Sequence, residues 1–367
     1  RVALRYAAFV HDCVPLLMPE HCLELTARLY ARWFAALALH ADLLLANSHA
    51  TAGDVVRFGA PLGMVLRPAV VPLAAEAPPP EGPALEAAAA LDLDEPGAPF
   101  VLFVATLESR KNHLMVFQAW LDLARKLGEA AVPRLVCVGR PGWRAEGALG
   151  LLERSPLLRR KVQVLSGVSD LALAGLTARC LFTLYNSFHE GWGLPVSESL
   201  AMGKLCVVPA HSGLLESGAP GAVFFPPQDR PALVETLARL IQDPAHRLSL
   251  EARIDRAAAG RSFTEAAEEL LAALLTPAPS PAALPLLPKG RHVPLGVGLA
   301  RQPSADLAWA EAIRHGLGWW WQEADGVWTR LIAPRQRKSP TFLSSAYQFD
   351  SRHFARQFRT AGFDSSA

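Results

Sequence analysis

Glu190-Gly-Trp-Gly-Leu-Pro-Val-Ser-Glu198, continuing as Ser-Leu-Ala-Met-Gly203, is the stretch on which the reading of this chain turns. Pro195 suits the first turn of a helix, where its missing amide costs no hydrogen bond, and Gly203 suits the end of one. The spacing therefore predicts a helix over Pro195–Met202. Gly191 and Gly193 let the backbone come close to a ligand. Immediately upstream, Leu181–Tyr185 is an apolar run of strand length. Strand, glycine-containing loop and helix in that order put the loop beyond the carboxyl end of a sheet strand, where helix amides are free to meet a ligand. Glu190 falls in the loop and Glu198 in the expected first turn of the helix, so two carboxylates can approach one ligand from different sides. Singly, a solvated loop acid and a complement to the helix dipole explain them equally well. Together, seven residues apart around Gly-x-Gly-x-Pro, they point to a binding site.

The alternation extends outward from this segment. Phe100–Ala105, Arg134–Val138, Val162–Leu165 and Leu205–Pro209 read as strands. Between and after them lie helical patterns from His113 to Lys126, closed by Gly128, from Asp170 with Ser169 as its N-cap, and from Thr264 to Leu275. Strands alternating with helices of this length indicate an α/β fold built on a parallel sheet covered on both faces. Nearer the start, Cys22–His40 reads as a helix and Asp42–Ala46 as a strand. Two stretches rich in Pro and Ala have linker composition. Domain boundaries are expected at 1–78, a linker at 79–97, a second domain at 98–276, a second linker at 277–297 and an extension at 298–367. Five of the nine tryptophans sit between Trp309 and Trp328, so the extension has its own composition.

Composition narrows the function classes. The 367 residues suffice for two domains, 51% are apolar and 19% charged, and the formal charge of +2 gives no reason to expect nucleic acid as a partner. The five cysteines, Cys13, Cys22, Cys137, Cys180 and Cys206, form no C-x-x-C pair and read as reduced core residues. No His/Cys/Asp/Glu cluster has metal-ligand spacing. No run reaches the ~20 apolar residues of a membrane span, and no signal-peptide plan is legible. A cytoplasmic setting follows.

The segment Glu190–Gly203 resembles the E-x7-E signature of retaining GT-B glycosyltransferases of family 4. Other landmarks stand in the matching order. Thr106-Leu-Glu-Ser-Arg110-Lys111-Asn112-His113 resembles the basic loop after the first strand of the donor domain, and Val138-Gly139 with Gly142-Trp143 the next strand and loop. Val164–Leu171, Val10-His11-Asp12 and Asn47-Ser48-His49-Ala50-Thr51 also match. The likeness spans about residues 8–275 and is strongest to bacterial enzymes of lipopolysaccharide and exopolysaccharide synthesis, many of them mannosyltransferases.

The resemblance implies a GT-B fold of two Rossmann-like domains with parallel sheets, the second binding a nucleotide sugar. Glu190, His11, Lys111 and Arg110 would be catalytic. The two cations would neutralise the leaving diphosphate, Glu190 would support the transferred sugar, and His11 would reach that sugar from the other domain. Glu198 would accept the ribose hydroxyls; Gly191, Trp192, Gly193, Leu194, Gly139 and Glu216 would complete the donor site. No metal or other cofactor is implied; a GDP- or UDP-hexose is the substrate. The expected reaction is transfer of a hexose, such as mannose, with retention, to a polysaccharide or lipid-linked glycan. A lipid-linked acceptor implies peripheral association with the inner face of the cytoplasmic membrane. The competing reading is a non-catalytic carbohydrate-binding remnant of such an enzyme.

The sequence departs from the family at two places. Ten residues precede His11, where family members carry a longer leading segment, so the acceptor-side domain is expected to be incomplete, most simply through a misassigned start. After Pro209, the family's Ser-Ser-x-x-Pro-Glu stretch is replaced by His211-Ser-Gly-Leu-Leu-Glu216, keeping the glutamate but not the proline. In the tail, Gly318-Trp-Trp-Trp-Gln-Glu323 through Gly326-Val-Trp328 resembles an element of β-rich modules attached to bacterial glycosyltransferases. Its tryptophans would either fill a small β core or stack on sugar rings.

Overall fold

The computed structural model describes residues 6–60, 64–76 and 81–276, together with the backbone of 320–322 and 328–330. The chain divides into two units, Val71–Leu270 and the remainder.

The first unit opens with β1 (Ala7–Val10), α1 (Val14–Leu17), α2 (Glu24–His40), β2 (Leu43–Ala46), α3 (His49–Gly59) and β3 (Ala69–Val70). The three strands are parallel in the order β1-β2-β3, with Ala7 opposite Leu43 and Leu45 opposite Ala69. Val10, Phe34, Leu37, Leu44, Val55 and Phe58 fill its core. Ser48 caps α3 by accepting the Thr51 amide at 2.9 Å, the role its side-chain oxygen suits just before a helix.

The second unit runs α4 (Pro83–Ala89), β4 (Phe100–Val104), α5 (His113–Leu127), β5 (Arg134–Val138), α6 (Glu146–Arg154), α7 (Pro156–Lys161), β6 (Val162–Leu165), α8 (Asp170–Arg179), β7 (Thr183–Leu184), α9 (Leu194–Ala201), β8 (Cys206–Pro209), α10 (Leu214–Ser217), β9 (Val223–Phe225), α11 (Arg230–Gln242), α12 (Pro244–Glu251) and α13 (Arg256–Ala259). The helix α14 (Phe263–Leu275) begins in this unit. Its six strands are all parallel, in the order β6-β5-β4-β7-β8-β9. This is a doubly wound sheet, and the strand order reverses between β4 and β7, the switch point where such sheets open a crevice for ligands. Alternation along β4 shows why every residue of it is apolar. Val101 and Phe103 pack with Trp120 and Leu200 on one face, whereas Phe100 and Leu102 pack with Ala88 and Leu176 on the other. A strand covered on both faces has no solvent side to spend on polar residues.

Three expectations need correction. The stretch 79–97 is not simply a linker: Pro83–Ala89 is helical, with Ala84 and Ala88 fully buried. Alanine is the strongest helix former and proline suits the first turn, so a composition resembling a linker also encodes a short helix. Gly175 of α8 lies so close that a Cβ there would meet the Ala84 carbonyl oxygen at 2.0 Å. Second, Glu198 does not lie in the first turn of its helix, because α9 starts at Leu194 and holds no acid in its first turn. Third, β7 keeps only Thr183–Leu184 of the expected Leu181–Tyr185.

The segment Val71–Glu76 belongs with the second unit: the Ala75 amide donates to the Arg261 carbonyl at 2.9 Å and the Phe263 amide to Glu76 Oε1 at 2.8 Å. All five cysteines are buried and free. Among the described residues no helix is long and apolar enough to cross a membrane, and no group of His, Cys, Asp and Glu could hold a metal ion. In the tail, Trp320–Gln322 and Trp328–Arg330 pair antiparallel. The linker expected at 277–297 and the rest of the extension lie outside the described residues.

Candidate functional site

Two loops at the switch point build the site. The loop after β4 makes a 3-10 turn over Ser109–Lys111 and ends at Asn112, whose left-handed φ of 53° turns the chain into α5. Asn112 tolerates this conformation because its side chain bonds locally, here accepting the Met115 amide at 3.3 Å. The loop after β7 runs alongside it. The Phe188 amide donates to the Arg110 carbonyl at 2.9 Å, Arg110 Nη1 to the His189 carbonyl at 3.0 Å, and Asn186 Nδ2 to the Asn112 carbonyl at 3.3 Å. Residues distant in sequence are thus held in fixed register across β4 and β7.

Glu190 sits at the centre of this junction and is 7% exposed. Its Oε1 accepts from Lys111 Nζ, from Arg110 Nη1 at 2.8 Å and from the Tyr185 hydroxyl at 2.9 Å. Lys111 also donates to the Tyr185 hydroxyl at 2.6 Å, and Arg110 reaches Glu108 at 3.0 Å. Burial alone would raise the Glu190 carboxyl, but the ammonium and guanidinium beside it win and lower it to about 2. Burial similarly works against the charge on Arg110, and Glu190 with Glu108 overcomes it. Two cations and two carboxylates share a confined volume, so an incoming anion would find both positive groups preassembled.

Next to the cluster, Gly193 begins α9 with φ 102°, a left-handed conformation that favours glycine, and a Cβ there would meet Leu214 Cδ2 at 2.6 Å. Trp192 is fixed at both ends, its Nε1 donating to Ser197 Oγ at 3.0 Å and its carbonyl accepting from Ser217 Oγ at 2.8 Å. A cavity of about 520 Å³ opens against α9, lined by Asp170, Leu173, Thr177, Tyr185 and Glu198 among others. The Glu198 carboxyl is pushed up, first by burial and then by Asp170. Glu198 lines this cavity and Glu190 does not; Tyr185, which lines it and bonds Glu190, connects the two.

The remaining expected residues scatter around it. Gly139 ends β5 against the first turn of the β4 loop; a Cβ would lie 2.0 Å from the Ala105 carbonyl oxygen. Gly191 is buried, Leu194 opens α9 at 39% exposure, and Glu216 lies in α10. His11 belongs to the other unit, exposed on the loop after β1, where its carbonyl accepts from Asn47 Nδ2 at 2.7 Å. Sequence reasoning misses Tyr185, whose signal was its place as the last residue of an apolar strand. It also misses Ser212, whose Oγ accepts the Glu190 amide at 3.1 Å.

Residues 92–260 match the family described as glycosyl transferases group 1. That match lies within the second unit of the chain. A serotype-specific mannosyltransferase, WbdA of Escherichia coli, is 33% identical to it over 217 residues, 57% of this chain and 26% of the relative. An O-antigen chain mannosyltransferase B of Escherichia coli is 29% identical over 154 residues, 42% of this chain and 40% of that one. The chain thus spans about a quarter of the length of its WbdA relatives, 26% of the first. Among solved structures, Anabaena HepE with UDP-glucose superposes with a TM-score of 0.59 at 18% identity, covering 74% of this chain and 72% of that one. A UDP-forming trehalose-phosphate synthase from Burkholderia xenovorans gives 0.59 at 19% identity, covering 74% and 68%. At such identities the likeness establishes the fold, which is that of GT-B glycosyltransferases. The doubly wound parallel sheet of Val71–Leu270 accords with that fold.

Proposed function

We propose that Val71–Leu270 is the donor-binding module of a retaining glycosyltransferase that moves a hexose from a nucleoside diphosphate sugar to a polysaccharide or lipid-linked glycan. The observation that carries the reading is the buried Glu190 held by Lys111, Arg110 and Tyr185 at the switch point of the sheet. As the anomeric C–O bond breaks, positive charge grows on the sugar and negative charge on the departing diphosphate. A carboxylate held ionised by its neighbours suits the first, and two cations suit the second. Charges fixed in place before the reaction need no rearrangement during it, which is the main advantage of such a site over water.

Glu198, on the cavity side, would accept the ribose hydroxyls, and the start of α9 would face the phosphates. The proposed step uses no cofactor. Mannose is the first sugar to test because the curated relatives are mannosyltransferases; HepE was solved with UDP-glucose, which makes UDP-hexoses the second class. A lipid-linked acceptor would bring the protein to the inner face of the cytoplasmic membrane.

Release of nucleoside diphosphate from GDP-mannose and UDP-glucose, with a mixed glycan acceptor fraction, tests the reading. Glu190→Ala and Lys111→Ala should each cut turnover by roughly 10²–10³-fold while leaving the far-ultraviolet circular dichroism unchanged. Full turnover by both folded variants would sink the assignment.

A further inference from the structure

The segment that departs from the family's usual wording, His211-Ser212-Gly213, grips both peptide groups of Glu190. The Glu190 amide donates to Ser212 Oγ at 3.1 Å, and its carbonyl accepts the Gly213 amide at 3.0 Å. Ser212 takes a left-handed φ of 50°, which aims its hydroxyl back at the loop. Gly213 cannot be larger, because a Cβ would meet the Gly191 carbonyl oxygen at 2.0 Å.

His211 fixes the direction of this chain of bonds. Its Nε2 lies 3.0 Å from the Ser187 carbonyl oxygen, an atom that only accepts, so Nε2 carries the proton. In the neutral ring Nδ1 is then an acceptor, and it lies 2.9 Å from Ser212 Oγ, whose hydroxyl therefore donates to it. That leaves a lone pair of Ser212 Oγ for the Glu190 amide. The relay runs Glu190 N–H to Ser212 O–H to His211 Nδ1, with Nε2–H anchored on Ser187. Protonation of the ring puts a hydrogen on Nδ1, which must donate to Ser212 Oγ. The serine hydroxyl hydrogen then has to turn away from its former acceptor: the Ser212–His211 bond reverses, while Ser212 Oγ, with two lone pairs, now accepts from both His211 and the Glu190 amide and is a weaker acceptor for each.

We infer that His211 and Ser212 are positioning residues that hold the backbone of Glu190 for the reaction, and that protonation of His211 weakens this support. The functional half of this statement rests on the proposed transferase reading; the structural half does not. Burial favours the neutral ring; the Ser187 carbonyl and Glu190 oppose it, and His189 adds to it. Behind Glu190 stand Arg110 and Lys111, both paired with Glu190, and Arg110 also with Glu108. Neither His211 nor Ser212 lines the cavity beside Glu198, and both bond towards the Glu190 backbone, so each would act through Glu190.

Hydrogen exchange of the peptide covering residues 187–193, in the whole protein, reads the relay without any assumption about activity. Ser212→Ala should speed exchange at the Glu190 amide about tenfold, the size of one net hydrogen bond, while the β5 strand stays protected. His211→Asn retains an acceptor for Ser212 but cannot titrate. It should keep the protection of the parent protein at pH 7.5 and hold it as the pH falls below the ordinary histidine range, where the parent protein's protection weakens. The same variants then enter the nucleoside diphosphate release assay. Ser212→Ala should lower kcat at least tenfold with donor KM within a factor of about two. His211→Asn should flatten the acid limb of kcat, and His189→Gln, which removes a charge that favours the neutral ring, should keep that limb but move it to higher pH. Unchanged Glu190 exchange in Ser212→Ala, or identical acid limbs in the parent and His211→Asn, would overturn the inference. Altered exchange with no turnover in any protein, the parent included, would uphold the relay and reject the transferase reading.

Discussion

Replacing His113 with phenylalanine should change how stability depends on pH, and the size of the change follows from the structure. His113 opens α5 but is 2% exposed, stacked on Phe103 at 4.3 Å and edge-on to Phe117 at 6.1 Å. Neither ring nitrogen has a hydrogen-bond partner. Burial, and then the nearby Lys111, lowers its pKa to about 4. An unfolded histidine titrates near ~6.5. Because the folded value is the lower one, the unfolded chain binds the proton first. The neutral ring's stability is fully present above pH ~6.5 and is lost as pH falls towards about 4. The full loss is roughly 3 kcal/mol, of which about 2.5 kcal/mol is reached by pH 4.5. His113→Phe keeps an aromatic ring against Phe103 and removes the titration. At pH 7.5 the two proteins should differ by less than about 1.5 kcal/mol, the usual cost of a near-isosteric core swap. By pH 4.5 the variant should have gained about 2.5 kcal/mol on the parent. Urea melts at a series of pH values, followed by circular dichroism, measure the difference directly. Parallel stability curves for the two proteins would refute the reasoning. The result also separates acid effects on folding, which His113 carries, from acid effects on the Glu190 relay, which His211 carries.

Three further expectations follow from the same geometry. Lys111→Ala removes a buried cation from both Glu190 and the proposed leaving group, and should cut donor turnover by roughly 10²–10³-fold; a loss below fivefold in a folded variant would exclude a direct role. Gly175→Ala places a Cβ 2.0 Å from the Ala84 carbonyl and 2.7 Å from Ala88 Cβ, so it should push α4 off α8 and cost about 1–3 kcal/mol; an unchanged thermal midpoint would show that α4 is not packed there. Asp170→Asn removes the charge that, after burial, raises the Glu198 carboxyl. Nucleotide affinity that depends on ionised Glu198 should then survive to lower pH, and calorimetric affinities at several pH values would show whether that limb moves.

The class of fold was legible because both-face burial leaves a plain trace: β4, β8 and Leu135–Val138 of β5 are continuous apolar runs, and Gly128, Ser169 and Gly203 punctuate the helices between them. The order of the strands was not, since nothing local in β4 or β7 says that they are neighbours. Glu190 could be placed on its loop from Gly191, Gly193 and Pro195. Its partners Lys111 and Arg110 could be named only through the resemblance, because they lie far upstream and meet Glu190 only through the pairing of β4 with β7. Glu198 was set a turn too early because Pro195 marks the second helical position, with Leu194 already inside. Helix α4 was hidden by a composition that serves linkers and helices alike. Tyr185 and Ser212 escaped because a tyrosine at a strand end and a serine in a loop are ordinary residues until the backbone places them on Glu190.

The most direct test of the donor-site reading is calorimetric titration of the chain with GDP, UDP and ADP in turn, repeated with Glu198→Ala. If the cavity beside Glu198 receives the nucleoside and Lys111 and Arg110 receive the diphosphate, one nucleotide should bind saturably and the variant should lose that binding. No binding of any of the three by the folded protein, or equal binding by parent and variant, would contradict it.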